Sequence, residues 1–299
     1  LSHCEPTAVK LGDPALLGAC YARLGYCEWV FGHLDKAVQT FAKAADLCET
    51  SGRAEDAGQA YSQWQWTHVF RGDYDQVLAL KERAVRVMER DFNLRWYAWA
   101  LAAASWAYTF LGRWEHAVEE ARKGLSVAEE YADDSAISFA AWNTSMTYAY
   151  KGDMVEALAY AELAVEKAPT PADKAWAQSF RGWAWCRAGE PHKGVEILAA
   201  LVPMYRAAGF VPGEIFALFL GEAYWLAGAY DKATQTLEEV LRIAERCGLK
   251  LHIGCAHRIL GEIAVKTNPD QVGEPLAAPH FARSVAMLRA INAENELAL

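Results

Sequence analysis

The sequence has few of the residues and patterns that mark several large protein classes. Only 10 of its 299 residues are proline and 53% are hydrophobic, which excludes a disordered tail and a collagen-like chain. No apolar run approaches the roughly 18 residues that a membrane span requires, and no signal peptide is present, so we expect no membrane partner. Basic residues are outnumbered, with 29 Lys and Arg against 38 Asp and Glu and a net charge of −9. Because no basic face is segregated, we expect no nucleic-acid partner.

Catalytic and metal-binding patterns are also missing. The seven cysteines are an odd number without short repeated spacing, which predicts reduced thiols in a cytoplasmic protein. His252 and His257 lie near Cys247 and Cys255, but their spacing fits neither a helix face nor a zinc knuckle, so we expect surface or packing residues and no metal. There is no glycine-rich phosphate loop, no Ser-His-Asp order and no convergent carboxylate pair. We therefore expect no cofactor and no enzymatic activity.

The sequence does contain a ladder of glycine-centred turns. A small residue stands five positions after most of these glycines, and helical stripes flank the turns, such as Ala37, Phe41 and Ala44 after the first. Glycine at each turn lets one helix stop in a left-handed conformation and a second helix return. Proline stays at expected boundaries such as Pro14 and Pro171, and no strand signal is found, so the predicted fold is all-α. The glycines stand at 32, 72, 112, 152, 189 and 228, with steps of 40, 40, 40, 37 and 39.

This period predicts one domain over 1–299, built from about seven helix-turn-helix repeats that stack because no pair buries its apolar face alone. The chain begins at Leu1 and stops at Leu299 inside an amphipathic stretch, so we expect it to be a fragment of a longer protein. The predicted repeats are about 13–50, 53–90, 93–130, 133–168, 171–208, 211–247 and 249–292, with the start of a further helix at 293–299.

The turn motif resembles the tetratricopeptide repeat (TPR), which implies an α–α solenoid with a right-handed superhelix. The period is longer than the standard repeat of about 34 residues. In this it is similar to the repeats of bacterial signalling (STAND) ATPases and to the TPR tails of class III adenylate and guanylate cyclases. The segment 280–298 also resembles such cyclase tails. The best match comprises Gly221, Tyr224, Gly228, Tyr230, Asp231 and Ala233.

The resemblance implies that the first helix of each repeat lines a concave groove. Its groove positions lie 13, 10, 6 and 3 residues before the turn glycine, on one helical stripe. Eight of the 12 tryptophans fall on this stripe, and the other four, at 64, 96, 114 and 185, fall on packing positions or at a helix entry. The candidate ligand-binding residues are Tyr26, Trp29, Gln59, Ser62, Trp66, Trp99, Trp106, Phe139, Trp142, Met146, Trp176, Ser179, Trp183, Glu222 and Trp225.

Two interpretations of this aromatic stripe stay open. The rings could pack against one another as a core, or they could form the walls of a binding site. Small residues between them, such as Ala22, Ser62 and Ala102, favour pockets beside the rings. A site of this kind suits a sugar, a heterocycle or an apolar peptide, with Asn143, Arg187, Arg258 and Glu262 as further polar candidates.

The functional hypothesis is a ligand- or protein-binding module that acts as the sensor region of a cytosolic bacterial signalling protein. The alternative is a protein-interaction scaffold that holds a partner or its own output domain, with the inner aromatics serving only as packing. Oligomerisation is possible in either case. The Lys and Asn that grip acidic chaperone tails in some TPR domains are replaced here by Ala, Ser, Tyr and Trp, so such a tail is not expected.

Overall fold

The computed structural model describes residues 4–90, 93–268 and 276–299, and these residues are helical without any strand. The predicted all-α class is therefore confirmed for the described chain. The helices are α1 (Cys4–Leu11), α2 (Pro14–Val30), α3 (Leu34–Thr50), α4 (Ala54–Arg71), α5 (Tyr74–Arg90), α6 (Leu94–Phe110), α7 (Trp114–Glu130), α8 (Asp134–Lys151), α9 (Met154–Lys167), α10 (Pro171–Arg187), α11 (Pro191–Ala207), α12 (Glu214–Leu226), α13 (Tyr230–Cys247), α14 (Lys250–Thr267), α15 (Ala278–Ala290) and α16 (Glu294–Leu297), and a 3₁₀ turn, Val211–Gly213, precedes α12.

The helices form seven antiparallel pairs, numbered here pair 1 (α2–α3) to pair 7 (α14–α15), in the arrangement of a TPR-like solenoid. The first helix of each pair is called the inner helix and the second the outer helix. Helix α1 precedes pair 1, and the single-turn α16 lies within 293–299, where a further helix is predicted to start. The division into repeats and the status of the chain as a fragment stay predictions.

The turn glycines adopt the conformation that their spacing predicts. All six have positive φ, including +77° at Gly72 and +93° at Gly152, which confirms the left-handed turn between paired helices. Proline behaves less uniformly. Pro14 and Pro171 open α2 and α10, but Pro203 lies inside α11, so the expectation that proline stays at boundaries is wrong at that position.

Inner and outer helices bury different fractions of their surface. The outer helix α13 buries one stripe that contains Ala233, Leu237, Val240 and Ala244, as expected for an amphipathic helix. The inner helix α8 is instead buried at every position from 136 to 149. A helix buried on all sides must have neighbours on its inner side too, so the interior of the superhelix is largely filled here and is not an open concave groove.

The filling arises because the superhelix closes on itself. Helix α2 of pair 1 contacts the 3₁₀ turn that opens pair 6, α4 of pair 2 contacts α14 of pair 7, and α6 of pair 3 contacts α16. The approach is close, since a Cβ built on Gly32 would lie 2.5 Å from Sγ of Cys247, and one on Gly72 would lie 2.7 Å from Cγ2 of Ile291. We call this line of contacts the seam. Its constant offset means that one superhelical turn takes about five pairs.

Candidate functional site

Six aromatic side chains form a closed circuit around the superhelix axis. Their ring centroids follow one another at 5.7 Å (Trp29 to Phe70), 6.5 Å (Phe70 to Trp106) and 6.2 Å (Trp106 to Trp142). The circuit continues at 6.0 Å from Trp142 to Trp176 and 5.6 Å from Trp176 to Phe210, and closes at 6.3 Å from Phe210 to Trp29. These separations lie within the range of favourable edge-to-face and tilted aromatic pairs. We call the set Trp29, Phe70, Trp106, Trp142, Trp176 and Phe210 the aromatic hexad.

The hexad occupies one level of the superhelix, and from pair 2 onward this level meets each successive inner helix nearer to its N-terminus. Trp29 and Phe70 stand three and two residues before their turn glycines, Trp106 six, Trp142 ten and Trp176 thirteen, while Phe210 stands 18 before Gly228. The shift follows from the rise of the superhelix, because each helix starts further along the axis than the one before. A site at a fixed level therefore cannot use the same helical position in every repeat.

A cavity of about 260 Å³ lies against the hexad, close to the lower limit of roughly 300 Å³ that is typical of ligand pockets. Ten of its 15 lining residues are aromatic, one is alanine and four are polar. We call it the hexad cavity. Its lining residues are Tyr26, Trp29, Gln63, Trp66, Phe70, Trp99, Trp106, Ser135, Ser138, Phe139, Trp142, Ala172, Asp173, Trp176 and Phe210.

The aromatic residues of the cavity differ in exposure, and this distinguishes its floor from its mouth. Trp66, Trp106 and Trp142 are at most 5% exposed and form the floor. Tyr26 is 39% exposed, and Trp99 is half-buried and stacks face to face on Phe139 with centroids 3.7 Å apart. Flat faces at the mouth are therefore accessible, whereas the floor is already occupied by packing.

The polar groups of the cavity lie where α8 and α10 begin. Asp133 caps α8 by accepting hydrogen bonds from the backbone N–H groups of Ser135 and Ala136, at 2.9 and 3.3 Å. Thr170 caps α10 by accepting one from the N–H of Asp173 at 3.1 Å, and its hydroxyl donates to the Asp173 carboxylate at 2.7 Å. The second carboxylate oxygen of Asp173 has no hydrogen-bond partner in the described part of the chain. Asp173 is also the only acidic residue in the described lining of the cavity.

The structure divides the predicted site residues into two groups. Eight of them line the hexad cavity, and seven do not, because the prediction used the same helical offsets in every repeat. The eight are Tyr26, Trp29, Trp66, Trp99, Trp106, Phe139, Trp142 and Trp176. The seven are Gln59, Ser62, Met146, Ser179, Trp183, Glu222 and Trp225.

Four of the seven make structural contacts instead. Glu222 accepts hydrogen bonds from Trp183 Nε1 at 2.8 Å and from Arg187 Nη1 at 3.1 Å, which ties α12 to α10. Ser179 donates to the carbonyl of its own helix at 2.9 Å and lies 3.2 Å from the Tyr205 hydroxyl. Gln59 accepts a hydrogen bond from Arg23 on the neighbouring inner helix.

The remaining three lie in packed or peripheral positions. Ser62 and Met146 are buried at 0% and 1% exposure, and Trp225 packs against Tyr230 with centroids 5.5 Å apart. Sequence reasoning also missed seven lining residues. Only Phe70 and Phe210 among them carry an aromatic signal, and Phe210 lies in a loop, outside any helical stripe. The missed residues are Gln63, Phe70, Ser135, Ser138, Ala172, Asp173 and Phe210.

A cluster of charged side chains fills the interior further along the axis, between α10, α12, α14 and α16. Arg258 forms an ion pair with Glu262 at 2.8 Å and lies 3.6 Å from Glu296 of α16. Burial raises the pKa of the Glu296 carboxyl above its usual value, and the nearby Arg258 charge opposes that shift. The predicted polar candidates Arg187, Arg258 and Glu262 therefore pair with protein groups, and Asn143 is fully buried with its amide bonded to the Phe139 carbonyl at 2.8 Å.

Other chemistry-bearing groups do not assemble into a second site. Across residues 4–90, 93–268 and 276–299, no three His, Cys, Asp or Glu side chains are grouped to hold a metal ion. His257 lies beside His280, with 2.9 Å between their Nδ1 atoms, and His252 packs apart from both against Phe70. The described cysteines Cys27, Cys48, Cys186, Cys247 and Cys255 are free thiols. None of the described helices has both the length and the apolar character needed to cross a bilayer.

Comparisons with known proteins agree with this architecture. Residues 217–251 match the family model of the tetratricopeptide repeat. A Rap protein complexed with Competence and Sporulation Factor superposes with a TM-score of 0.67 at 16% identity, over 95% of this chain and 77% of that one. The apo form of RapI gives 0.59 at 11% identity, over 92% and 98%.

A STAND protein with a tetratricopeptide repeat sensor from Pyrococcus horikoshii gives a TM-score of 0.48 at 15% identity, over 93% of this chain and 51% of that one. No curated protein matches the sequence. The structure therefore has the fold of TPR-like repeat proteins, and one of its repeats is recognisable as a TPR by sequence.

Proposed function

We propose that this chain is a recognition module whose hexad cavity binds a small molecule or one residue of an extended ligand, and that it forms the sensor region of a cytoplasmic bacterial signalling protein. The observation that carries the proposal is the cavity itself, which has aromatic walls and a few polar groups at its rim. Natural ligand sites have this composition, with apolar walls for affinity and a few polar groups for orientation.

The position of the cavity supports a sensing role. The hexad takes one residue from each of pairs 1 to 5 and a sixth from the loop before pair 6, so a ligand in the cavity touches both sides of the seam. A ligand that fits one arrangement of the pairs better than another shifts the population toward that arrangement. Such a change in the curvature of the solenoid would reach whatever output domain is attached.

A fold neighbour supports this proposal. A Rap protein of the same fold is complexed with Competence and Sporulation Factor, so a solenoid of this shape can bind another molecule. The cytoplasmic location is proposed from the cysteine pattern of the sequence, which is typical of reduced thiols.

A protein-binding scaffold is the second candidate, and one observation favours it. Trp66, Trp106 and Trp142 are nearly inaccessible and contact one another at 5.2 to 6.2 Å, as packing residues do. If the aromatics serve only as a core, the binding surface lies elsewhere on the solenoid. The two candidates differ in whether the mouth of the cavity takes up a ligand.

The test uses Trp99, which lines the mouth without belonging to the hexad. A panel of small metabolites and short peptides is screened by thermal shift and tryptophan fluorescence against the wild type and W99L. The control is W185L, which removes an indole whose ring lies under Lys193 Nζ at 4.3 Å, outside the cavity. We expect at least one compound to raise Tm of the wild type and of W185L, and to bind W99L about tenfold more weakly, because a stacking face is lost.

Two outcomes would count against the proposal. Compounds that stabilise the wild type and W99L equally would place binding outside the cavity. A Tm that rises only with a protein partner, and with no compound of the panel, would support the scaffold.

A further inference from the structure

We infer that the occupant of the hexad cavity is a monocation that carries a quaternary ammonium group, held against aromatic faces and balanced by Asp173. The inference rests on the proposed function, since it names the ligand class of the same site. It is drawn from the charge of the lining, from the hydrogen-bonding groups that the lining lacks, and from the shape of the aromatic wall.

The charge of the lining favours a cation. Among the described residues that line the cavity there is no Lys, Arg or His, and Asp173 is the one carboxylate. In the described chain no cationic group pairs with Asp173, whereas both acidic residues at the start of the neighbouring helix α8 are paired. Asp133 binds Arg95 Nε at 2.7 Å, and Asp134 lies 3.5 Å from Lys167 Nζ. An apolar cavity with one unbalanced negative charge attracts a ligand with one positive charge.

An anion would find few donors at the mouth, although two helices begin there. The first N–H groups of α8 already bond to Asp133, and that of Asp173 bonds to Thr170. Pro171 opens α10 and carries no N–H. The usual attraction of helix N-termini for anions is therefore satisfied by the chain's own capping groups.

The aromatic wall selects among cations. A primary ammonium carries three N–H donors and would lose hydrogen bonds with water in a lining that offers few acceptors. A quaternary ammonium has no N–H donor and makes no such demand, and its charge is stabilised by the faces of Trp, Tyr and Phe. The indole nitrogens of Trp29, Trp66 and Trp106 are themselves buried, so these rings present carbon to the cavity.

The test compares three probes of one shape and different charge: choline, its neutral analogue 3,3-dimethylbutan-1-ol, and the anion 3,3-dimethylbutanoate. Binding is followed by tryptophan fluorescence and calorimetry at matched ionic strength. We expect choline to bind the wild type about tenfold more tightly than the neutral alcohol, and the anion to bind most weakly. This comparison needs no variant, so it does not depend on any substitution folding correctly.

The variant D173N then removes the charge and keeps an oxygen that can accept from Thr170. We expect it to weaken choline about fivefold and to leave the neutral alcohol unchanged. The control D231N removes an acidic side chain from the first turn of α13, away from the cavity, and is expected to change neither probe.

The outcomes separate this inference from the proposed function. Equal affinity for choline and the neutral alcohol, tighter binding of the anion, or no loss of choline affinity in D173N would each overturn the inference. The cavity would still stand as a ligand site if W99L weakened a compound from the panel. No effect of W99L on any compound would overturn both.

Discussion

Trp29 and Phe210 belong to parts of the chain five helix pairs apart, yet their rings meet edge to face, with centroids 6.3 Å apart at 86°. Helix α2 contributes Trp29, and Phe210 precedes the 3₁₀ turn before α12. This contact completes the hexad and joins the two sides of the seam at the cavity. Edge-to-face pairs of this kind contribute about 0.5–1.5 kcal/mol beyond the area that they bury.

We expect F210A to lower the free energy of unfolding by about 2 kcal/mol, because Phe210 is half-buried and packs on Trp29 and Trp176. A double-mutant cycle with W29A should give a coupling energy near 1 kcal/mol, measured by urea denaturation. Y131A, at a ring that is 50% exposed, serves as the control and should change stability little. Additive effects of F210A and W29A would contradict a direct contact across the seam.

Two turn glycines provide a matched pair that separates backbone strain from the seam. Both have positive φ, so G152A and G72A should each lose about 1–2 kcal/mol from backbone conformation alone. At Gly152 nothing lies within 4 Å of the added methyl, whereas at Gly72 it would lie 2.7 Å from Cγ2 of Ile291. We expect G72A to be destabilised by about a further 1–3 kcal/mol, as measured by chemical denaturation.

The added I291A substitution removes the side-chain atom that blocks Gly72. The double variant G72A/I291A should therefore be less destabilised than the sum of its two single variants. If G72A and G152A lost equal stability, the close approach of pair 2 to pair 7 would be contradicted.

The all-α class and the turn positions could be predicted because they depend on local chemistry. The glycine that recurs about every 40 residues takes a positive φ at the end of the first helix of a pair, and Gly72 and Gly152 do so with nearly the same backbone conformation. The occupied interior could not be predicted in this way. The filling of the interior depends on the number of pairs in one superhelical turn. That number is determined by small packing angles between successive pairs, and no single residue encodes it.

The site illustrates the same limit. Trp66 and Trp106 stand at the same offset as Glu222, but the rise of the superhelix places the two indoles at the cavity and Glu222 beside Arg187. Phe210 lies in a loop and is recognisable only once Trp29 is seen against it. The helical spacing in the sequence thus identified aromatic residues that line the cavity in five inner helices. The level of the cavity along the superhelix axis is visible only in the structure.

His252 predicts a dependence of stability on pH. It is fully buried at the seam, its two ring nitrogens have no hydrogen-bond partner in the described chain, and burial lowers its pKa to about 4 from the usual 6.5. Between pH 6.5 and 4 the unfolded chain binds a proton that the folded chain does not. Stability is therefore fully present above pH 6.5 and falls as the pH drops through this window.

We expect H252L to remove on the order of 2 kcal/mol of the difference in unfolding free energy between pH 7 and pH 5. Urea denaturation at both pH values measures this difference. The control is H192L, because His192 is exposed. An unchanged pH dependence in H252L would show that His252 is not the group responsible.

Glu222 should act in stability and not in ligand binding. E222A would leave the buried Trp183 N–H and the partly buried Arg187 without their acceptor, and we expect a loss of about 3 kcal/mol in unfolding free energy. E222Q keeps an oxygen for Trp183 and should lose less. Both variants should bind cavity ligands as the wild type does, because Glu222 lies outside the cavity, and weakened binding in a folded E222Q would contradict this assignment.

The seam also changes which repeats of this solenoid depend on one another. In an open array each repeat touches only its two neighbours, and the removal of one repeat merely shortens the chain of contacts. Here pairs 1 and 2 also contact the elements of pairs 6 and 7, five positions away, and pair 3 contacts α16, so the contacts close part of the array into a cylinder. Deleting one of pairs 2 to 5 would change this offset, so the pairs that remain along the seam would face the wrong partners and Trp29 would meet a residue other than Phe210. Such a molecule tolerates substitutions more readily than changes in the number of its repeats.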